Sequence, residues 1–505
     1  MQFLKRFRWG FLTAICLIVV TGVGAGATVK DTLVVAQGVD AISMDPALHT
    51  TFATGTILFQ IYDPLITRGS DGTIRPALAE SWENLDETTW QFRLKKGIRF
   101  SNGEDFNAES VKFSLERVLD PATKAPNRSR IASIERVDVV DEYTVNIVTK
   151  NPAPTLLHGL TEDAFCSLMV PPKYVSENPG LLTSKPVGTG PYELVEWVKD
   201  DHVTLRAKKD YWGGASEIEN VIFRPIPEIS TRLSELKSGG IDLTADVPPE
   251  QADDLKKIKG VTVLSSPTDR LFYITVNTLE DGPLKDKRVR QAMMYAIDVE
   301  AINQGILGCM AKRTAVNLPV EAFGYDDSLA PYPYDPEKAA ALLKEAGYEK
   351  GFSVPFLSRN GRYIKDKEIV EACAGYLAQV GIECRVEFVE GGIWAGRTEN
   401  HGRKGLSYPG WSGRDADLVF YPQLYSGQTQ SYVADPALDE MIMAARTTMD
   451  QQKRLEIYKR ICAYVYEEMY QLPLFQSPAI YGVNADFDWQ PRNDDIIDLR
   501  GTRFK

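Results

Sequence analysis

The residues that come nearest to a catalytic pattern are those of a serine hydrolase. Ser234 and Lys237 have the Ser-x-x-Lys spacing in which a lysine can activate a serine nucleophile, but no Ser-Asp-Asn sequence follows them. Gly410-Trp411-Ser412-Gly413 lacks the five-residue Gly-x-Ser-x-Gly spacing of a nucleophile elbow. A secreted hydrolase using Ser234 and Lys237 remains one alternative, and the sequence otherwise predicts a protein that is not an enzyme.

Motifs for a metal or a cofactor are missing from the sequence. It contains no Cys-x-x-Cys pair and no phosphate-binding loop, and Gly188-Thr189-Gly190 is followed by Pro191 instead of a helix start. The histidines are isolated from one another, at His49, His158, His202 and His401. We therefore predict no cofactor and no metal site.

The first residues predict export from the cytoplasm. Lys5, Arg6 and Arg8 precede an apolar run, Phe11 to Val20, and small residues end at Ala27. This order is typical of a cleaved secretory signal peptide, here residues 1–27, and it predicts a soluble periplasmic protein. The remaining chain keeps 54 basic and 69 acidic residues, interleaved throughout, which excludes nucleic acid as a partner.

Five cysteines lie beyond the predicted cleavage point, so at least one is unpaired within a monomer. Cys373 falls on a predicted helix and Cys384 on the strand after it, so the two could form a disulfide. Two buried thiols are the alternative.

The sequence predicts both helices and strands, and together they indicate an α/β fold. Helix N-caps followed by amphipathic runs begin at Asn107, Asp335 and Asp435, and a further helix is predicted over Ile364–Val380. Strands are predicted from their β-rich or alternating composition at Thr32–Gln37, Thr89–Leu94, Tyr143–Val148, Tyr192–Val198, Leu271–Val276 and Ile382–Val389. A chain of this length predicts two or three domains.

Several short motifs resemble those of the extracytoplasmic solute-binding proteins of family 5, which serve oligopeptide, dipeptide and nickel ABC transporters. Each motif is weak alone, but they occur in the family's order and spacing. They are Ser43-Met44-Asp45-Pro46, Pro76 to Trp82, Phe100 to Gly103, Glu104 to Val111, Pro186 to Tyr192 and Asp286 to Ala292.

The resemblance implies a two-lobe periplasmic binding protein fold (type II, cluster C) with an additional third domain. Lobe I is then formed by residues 28–67, 187–275 and 475–505, the additional domain by 68–186, and lobe II by 276–474. The two crossings between the lobes are expected at Val276-Asn277 and Leu474-Phe475.

Ligand specificity in this family lies largely in the loop that here contains Trp411, Arg414 and Asp417. Peptide binders that the chain resembles have an aspartate three residues after the tryptophan, where it pairs with the peptide's amine. Arg414 occupies that position, and a guanidinium binds a carboxylate or phosphate instead. The alternative is that Arg414 braces Asp415 or Asp417.

Further ligand contacts are expected by the same resemblance. Arg359 lies where dipeptide binders hold the ligand carboxylate, although it could equally be a solvated loop residue. The remaining candidates are Thr50 and Phe52 from lobe I, and Tyr408 and Trp394 as aromatic walls.

The resemblance implies the binding component of an ABC importer. It would capture a peptide or a peptide-like, carboxylate-bearing solute by lobe closure, as a monomer, and deliver it to a permease and ATPase complex at the inner membrane. A nickel or metal chelate, an opine or an oligosaccharide are the alternative ligands.

Overall fold

The computed structural model describes residues 30–49, 51–69, 72–162, 166–359, 362–399 and 401–505 of the 505-residue chain. The predicted signal peptide and the candidate ligand residue Thr50 lie outside these ranges. In the described part, no helix has the length and apolar character needed to cross a membrane.

Strands and helices alternate along the chain, which confirms the predicted α/β class. The strands are β1 (Thr32–Gln37), β2 (Ile66–Arg68), β3 (Ile74–Pro76), β4 (Ala79–Asn84), β5 (Thr89–Leu94), β6 (Ile134–Asp141), β7 (Thr144–Thr149), β8 (Tyr192–Val198), β9 (His202–Ala207), β10 (Asn220–Pro225), β11 (Leu243–Thr244), β12 (Val261–Val276), β13 (Lys312–Arg313), β14 (Phe352–Arg359), β15 (Ile382–Val389), β16 (Leu406–Ser407), β17 (Gly410–Ser412), β18 (Gln471–Asn484), β19 (Phe487–Asp488) and β20 (Arg503–Phe504). The helices are α1 (Phe52–Ile61), α2 (Ala108–Leu119), α3 (Leu156–Gly159), α4 (Pro172–Glu177), α5 (Ile229–Ser238), α6 (Pro249–Lys256), α7 (Lys287–Ala296), α8 (Val299–Leu307), α9 (Pro336–Glu345), α10 (Asp366–Gln379), α11 (Gly391–Glu399), α12 (Ala416–Leu424), α13 (Pro436–Thr447) and α14 (Gln451–Glu468).

The predicted helix starts are confirmed by their caps. The Asn107 side chain accepts hydrogen bonds from the backbone N–H groups of Glu109 and Ser110, which begins α2. Asp335 and Asp435 cap α9 and α13 in the same way. Each cap satisfies backbone donors that the first helical turn leaves without a partner.

One large sheet runs through the molecule in the order β15-β14-β16-β12-β18-β11-β1-β10-β9-β8. Its centre is the antiparallel pair of long strands β12 and β18. On one side, β11 joins β18 through the Leu243–Val483 pair, and on the other, β16 joins β12 through Thr275–Ser407. Among the described strands, the sheet therefore consists of two halves that β12 and β18 connect.

Each half of the sheet has its own hydrophobic core. The first core surrounds Leu33, Phe223 and Tyr481 and packs against α1. The second core surrounds Ile274, Ile369 and Leu474 and packs against α7 and α10. A helical core formed by α12, α13 and α14, around Val419, Leu438 and Tyr458, adjoins the second core through residues of β12.

A separate four-stranded antiparallel sheet, in the order β4-β5-β7-β6, forms a third core with α2. Phe92, Leu115 and Ile147 are fully buried at its centre. This sheet shares no strand with the large sheet.

The long strands β12 and β18 pass from the first core to the second near Pro267 and Pro478, which face each other. Their register shifts just beyond this pair, between Pro267 and Leu271 of β12. The residues of the predicted crossing lie further along, where Val276, Leu474 and Phe475 are buried in the second core and Asn277 is 3% exposed. Proline has no N–H to donate, so the ladder is weakened where the two strands leave the first core for the second.

Cys373 on α10 and Cys384 on β15 are free thiols in the structure. Burial raises the pKa of the Cys384 thiol to about 12. Of the two alternatives, unpaired thiols are the one that the structure shows.

Candidate functional site

A cavity of about 740 Å³ lies between walls from different cores. One wall, the domain wall, comes from residues 129–133 and 150–159 beside the third core. The other, the helix wall, comes from residues 412–422 together with Gln428 and Arg446 of the helical core. Phe52, Arg68, Asp269 and Asp494 complete the lining. The volume lies within the range of about 300–1,000 Å³ typical of small-molecule sites.

Three of the predicted ligand residues, Phe52, Arg414 and Asp417, line this cavity. Trp411 lies on β17 next to the lining residue Ser412, and its indole N–H donates to the Leu418 carbonyl at 2.9 Å. This bond fixes the loop to the start of α12.

Arg414 is only 7% exposed, and its guanidinium bonds to other parts of the chain. Nε donates to Asp269 of β12 at 3.0 Å, and Nη1 and Nη2 donate to the side-chain and backbone oxygens of Asn493 at 2.9 and 3.0 Å. The predicted preference for a carboxylate is therefore met by Asp269, while Asp415 and Asp417 have other arginine partners. Arg414 ties the loop that carries Trp411 to the strand that crosses between the cores.

Asp415 is buried beside the cavity in a pair with Arg454 of α14. Its carboxylate caps α12 through the Asp417 N–H and accepts from Arg454 Nη1 at 2.7 Å. Burial alone would raise the Asp415 pKa, but the His158 hydrogen bond and the Arg454 charge outweigh it and lower the pKa to about 2. Asp415 thus stays ionised.

His158 links the two walls. Arg68 donates to its Nδ1 at 2.7 Å, and its Nε2 lies 3.4 Å from Asp415 Oδ2. Because arginine only donates, Nδ1 accepts and Nε2 carries the proton of the neutral ring. Burial lowers the His158 pKa, which keeps the ring in that neutral form.

Asp417 and Arg446 form a second pair on the helix wall. Arg446 Nη1 donates to both Asp417 oxygens, at 3.1 and 2.9 Å, and the guanidinium carbon lies over Tyr421, 3.7 Å from the ring centre. Burial raises the Asp417 pKa to about 6, against the opposing charge of Arg446.

Arg359, Trp394 and Tyr408 lie together away from the cavity lining. The Arg359 guanidinium lies 4.7 Å from the Trp394 ring and 4.8 Å from the Tyr363 ring, and Nη2 donates to the Tyr363 hydroxyl at 2.6 Å. Arg359 therefore packs between two aromatic rings and is half-buried. Within the described ranges, its Nε and the Tyr408 hydroxyl are buried and have no hydrogen-bond partner.

Sequence reasoning missed Arg130, Lys150, His158 and Arg446 as cavity residues. No local motif marks them, since they come from separate segments that only tertiary structure brings together. Ser234, by contrast, is exposed on α5, and its hydroxyl donates back to the Ser230 carbonyl at 2.8 Å. Neither Ser234 nor Lys237 lines the cavity. Among the described residues, no group of three or more His, Cys, Asp and Glu side chains could hold a metal ion.

The comparison with known protein families gives one match that covers most of the chain. The model of the bacterial extracellular solute-binding proteins, family 5, matches residues 73–432. The chain belongs to this family. Family 5 proteins are solute-binding components of ABC transporters, and this membership confirms the predicted binding protein fold and the general role.

Individual family 5 proteins support the same assignment. The glutathione-binding protein GsiB of Escherichia coli strain K12 is 30% identical over 458 residues, which is 88% of each chain. The DppA protein of Helicobacter pylori, solved with the peptide STSA, is 26% identical, with a TM-score of 0.73 over 94% of this chain and 98% of its own. The AgaA protein of A. tumefaciens R10, solved with agropinic acid, is also 26% identical, with a TM-score of 0.73 over 94% and 99%.

The raised pKa of Asp417 predicts a stability that depends on pH. The folded state holds this proton more tightly than the unfolded state, where an aspartate titrates near 4. We therefore expect the Asp417 contribution to favour folding below about pH 4 and to be lost as the pH rises through about 6, a difference of about 2–3 kcal/mol. Urea denaturation of the parent and of Asp417→Asn at pH 5 and pH 7.5 measures it. The parent should lose more stability than the variant over this interval, and equal losses would contradict the assignment.

Proposed function

We propose that this protein is the periplasmic binding component of an ABC importer that captures a peptide or peptide-like, carboxylate-bearing solute in the cavity between the domain wall and the helix wall. It acts as a monomer without catalysis, after cleavage of residues 1–27, and delivers the solute to an inner-membrane permease and its ATPase. The observation that carries the proposal is a cavity of ligand size whose two walls belong to different cores, the third core and the helical core.

Closure is the mechanism that this arrangement supports. A solute that contacts both walls binds the closed state more tightly than the open one and shifts the population toward it. We place the pivot at the weakened ladder around Pro267 and Pro478, because the backbone there can bend with few broken hydrogen bonds. Arg414 holds the ligand loop to Asp269 beside this pivot.

Some peptide binders of the family hold the amine of the peptide with an aspartate three residues after the tryptophan. This protein does not hold its ligand in that way. Arg414 stands at that position, and its guanidinium is occupied by Asp269 and Asn493. The peptide STSA bound to DppA, the agropinic acid bound to AgaA and the glutathione after which GsiB is named each contain a carboxylate, which the cationic residues of this cavity suit.

Thermal-shift screening of the purified mature protein tests the proposal. Dipeptides, oligopeptides, glutathione, opines, oligosaccharides and nickel with histidine form the panel. A true ligand at 100 times its dissociation constant should stabilise the folded state by about 2.7 kcal/mol through mass action. Mass spectrometry of solutes released from the purified protein gives an independent identification. A response to sugars alone would refute the peptide class and leave the transport role intact.

A further inference from the structure

We propose that the cavity selects solutes with at least two anionic groups, one bound by Arg446 on the helix wall and another by Arg130 and Lys150 on the domain wall. This inference rests on the proposed function, because it assumes that solute is bound in this cavity. It names the chemical class of that solute.

The charges around the cavity are unequally compensated. Three carboxylates, Asp269, Asp417 and Asp494, line it together with five cationic side chains among the described residues, Arg68, Arg130, Lys150, Arg414 and Arg446. Each carboxylate has an arginine partner: Asp269 pairs with Arg414, Asp417 with Arg446, and Asp494 with Arg492 outside the cavity. The surplus charge of the cavity is therefore positive.

The domain wall carries two cations without an acidic partner. Arg130 and Lys150 are exposed, and neither forms an ion pair within the described ranges. Lys150 Nζ donates to the Ala132 carbonyl at 2.8 Å, which holds the ammonium against the segment that carries Arg130. Ser129, Ser133 and Asn151 on the same wall add neutral hydrogen-bonding groups.

The helix wall carries a guanidinium that is already oriented. Arg446 is stacked on Tyr421 and bonded to Asp417 through Nη1, while its side chain remains 38% exposed. Its Nε and Nη2 have no hydrogen-bond partner in the described part of the chain. A guanidinium edge fixed in this way can grip a carboxylate with two parallel hydrogen bonds at little cost in side-chain entropy.

Approach of the two walls during closure is the step that selects anionic solutes. As the walls approach and water leaves, the uncompensated charge of Arg130 and Lys150 on the domain wall becomes more costly because the effective dielectric falls. An anionic group of the solute that faces the domain wall removes this cost, and a second anionic group is bound by the unused Nε and Nη2 edge of Arg446 on the helix wall. A neutral zwitterion has one carboxylate and one ammonium, so it can serve only one of these two cationic positions. The solute class that fits is an acidic peptide or a small dicarboxylate of similar size.

Isothermal calorimetry with two isosteric dipeptides tests this inference. Glu-Glu carries three carboxylates, whereas Gln-Gln has the same shape and carries one. We expect Glu-Glu to bind the parent protein about 10- to 100-fold more tightly. Arg446→Gln and the double variant Arg130→Gln/Lys150→Gln should each remove most of this preference. Arg128→Gln, an exposed arginine of the same segment that does not line the cavity, is the matched control and should keep it.

Two results would overturn the inference. Equal affinity for Glu-Glu and Gln-Gln would refute selection by charge, and the observed binding would leave the proposed function intact. Absence of Glu-Glu binding, alongside a thermal shift with another solute from the panel, would refute the acidic class for this cavity. Unchanged melting temperatures of the variants without ligand show that any lost affinity comes from the removed charges.

Discussion

Asp415→Ala is expected to lower the free energy of unfolding by about 3–5 kcal/mol, because it leaves a buried arginine without its counter-charge. Arg454 is 1% exposed and donates to Asp415 through Nη1 at 2.7 Å. The substitution also removes the N-cap of α12, which is worth about 1 kcal/mol, and the contact with His158. Urea denaturation measures the effect as a shift of the midpoint at unchanged slope.

Asp450→Ala provides the matched control. Asp450 is also an N-cap aspartate, at the start of α14, but it is exposed and its lysine partner lies at the surface. Its loss should cost only about 1 kcal/mol. In the double variant Asp415→Ala/Arg454→Met, part of the lost stability should return, since no unpaired charge stays buried. Equal losses for Asp415→Ala and Asp450→Ala would contradict the account.

Gly188→Ala is expected to destabilise the protein by about 3 kcal/mol or more, because the added methyl group would clash with backbone and buried ring atoms that cannot move aside. An added Cβ would lie 2.1 Å from the Ile61 carbonyl oxygen and 2.8 Å from the ring of Tyr62. Ile61 ends α1, and Tyr62 is fully buried in the first core. The same denaturation experiment measures the loss.

Gly375→Ala is the opposite case within the same chain. Gly375 is exposed in the interior of α10, and an added Cβ there meets no atom within 4 Å. Alanine should stabilise this helix by about 0.5–1 kcal/mol. A Gly188→Ala variant as stable as the parent would show that the first core is more plastic than its packing indicates.

Elements with strong local signals could be predicted from the sequence alone. The bounds of β1, β5, β8 and β15 match the predictions, and Asn107 caps α2 as expected. The predicted start of β12 is wrong. The sequence predicts a strand over Leu271–Val276, whereas β12 begins at Val261. Its first half contains polar residues and Pro267, and only pairing with β18 keeps it extended.

The residues of the site could be predicted only in part, because several of their partners are distant in the sequence. The loop motif identified Arg414 and Asp417, and the chemistry of a guanidinium indicated a carboxylate partner. That partner, Asp269, lies 145 residues earlier in the chain, so no spacing in the loop could name it. Arg446 and the domain wall likewise reach the cavity from segments that carry no common pattern.

The central position of β18 has a consequence for the order in which the chain can fold. The strand that joins the two halves of the large sheet begins only at Gln471, so a growing chain lacks it until nearly all of the sequence has been made. Until then β11 and β12 have an open edge where β18 belongs, and neither core is complete. A nascent chain of this design therefore cannot complete either core until its synthesis is nearly finished.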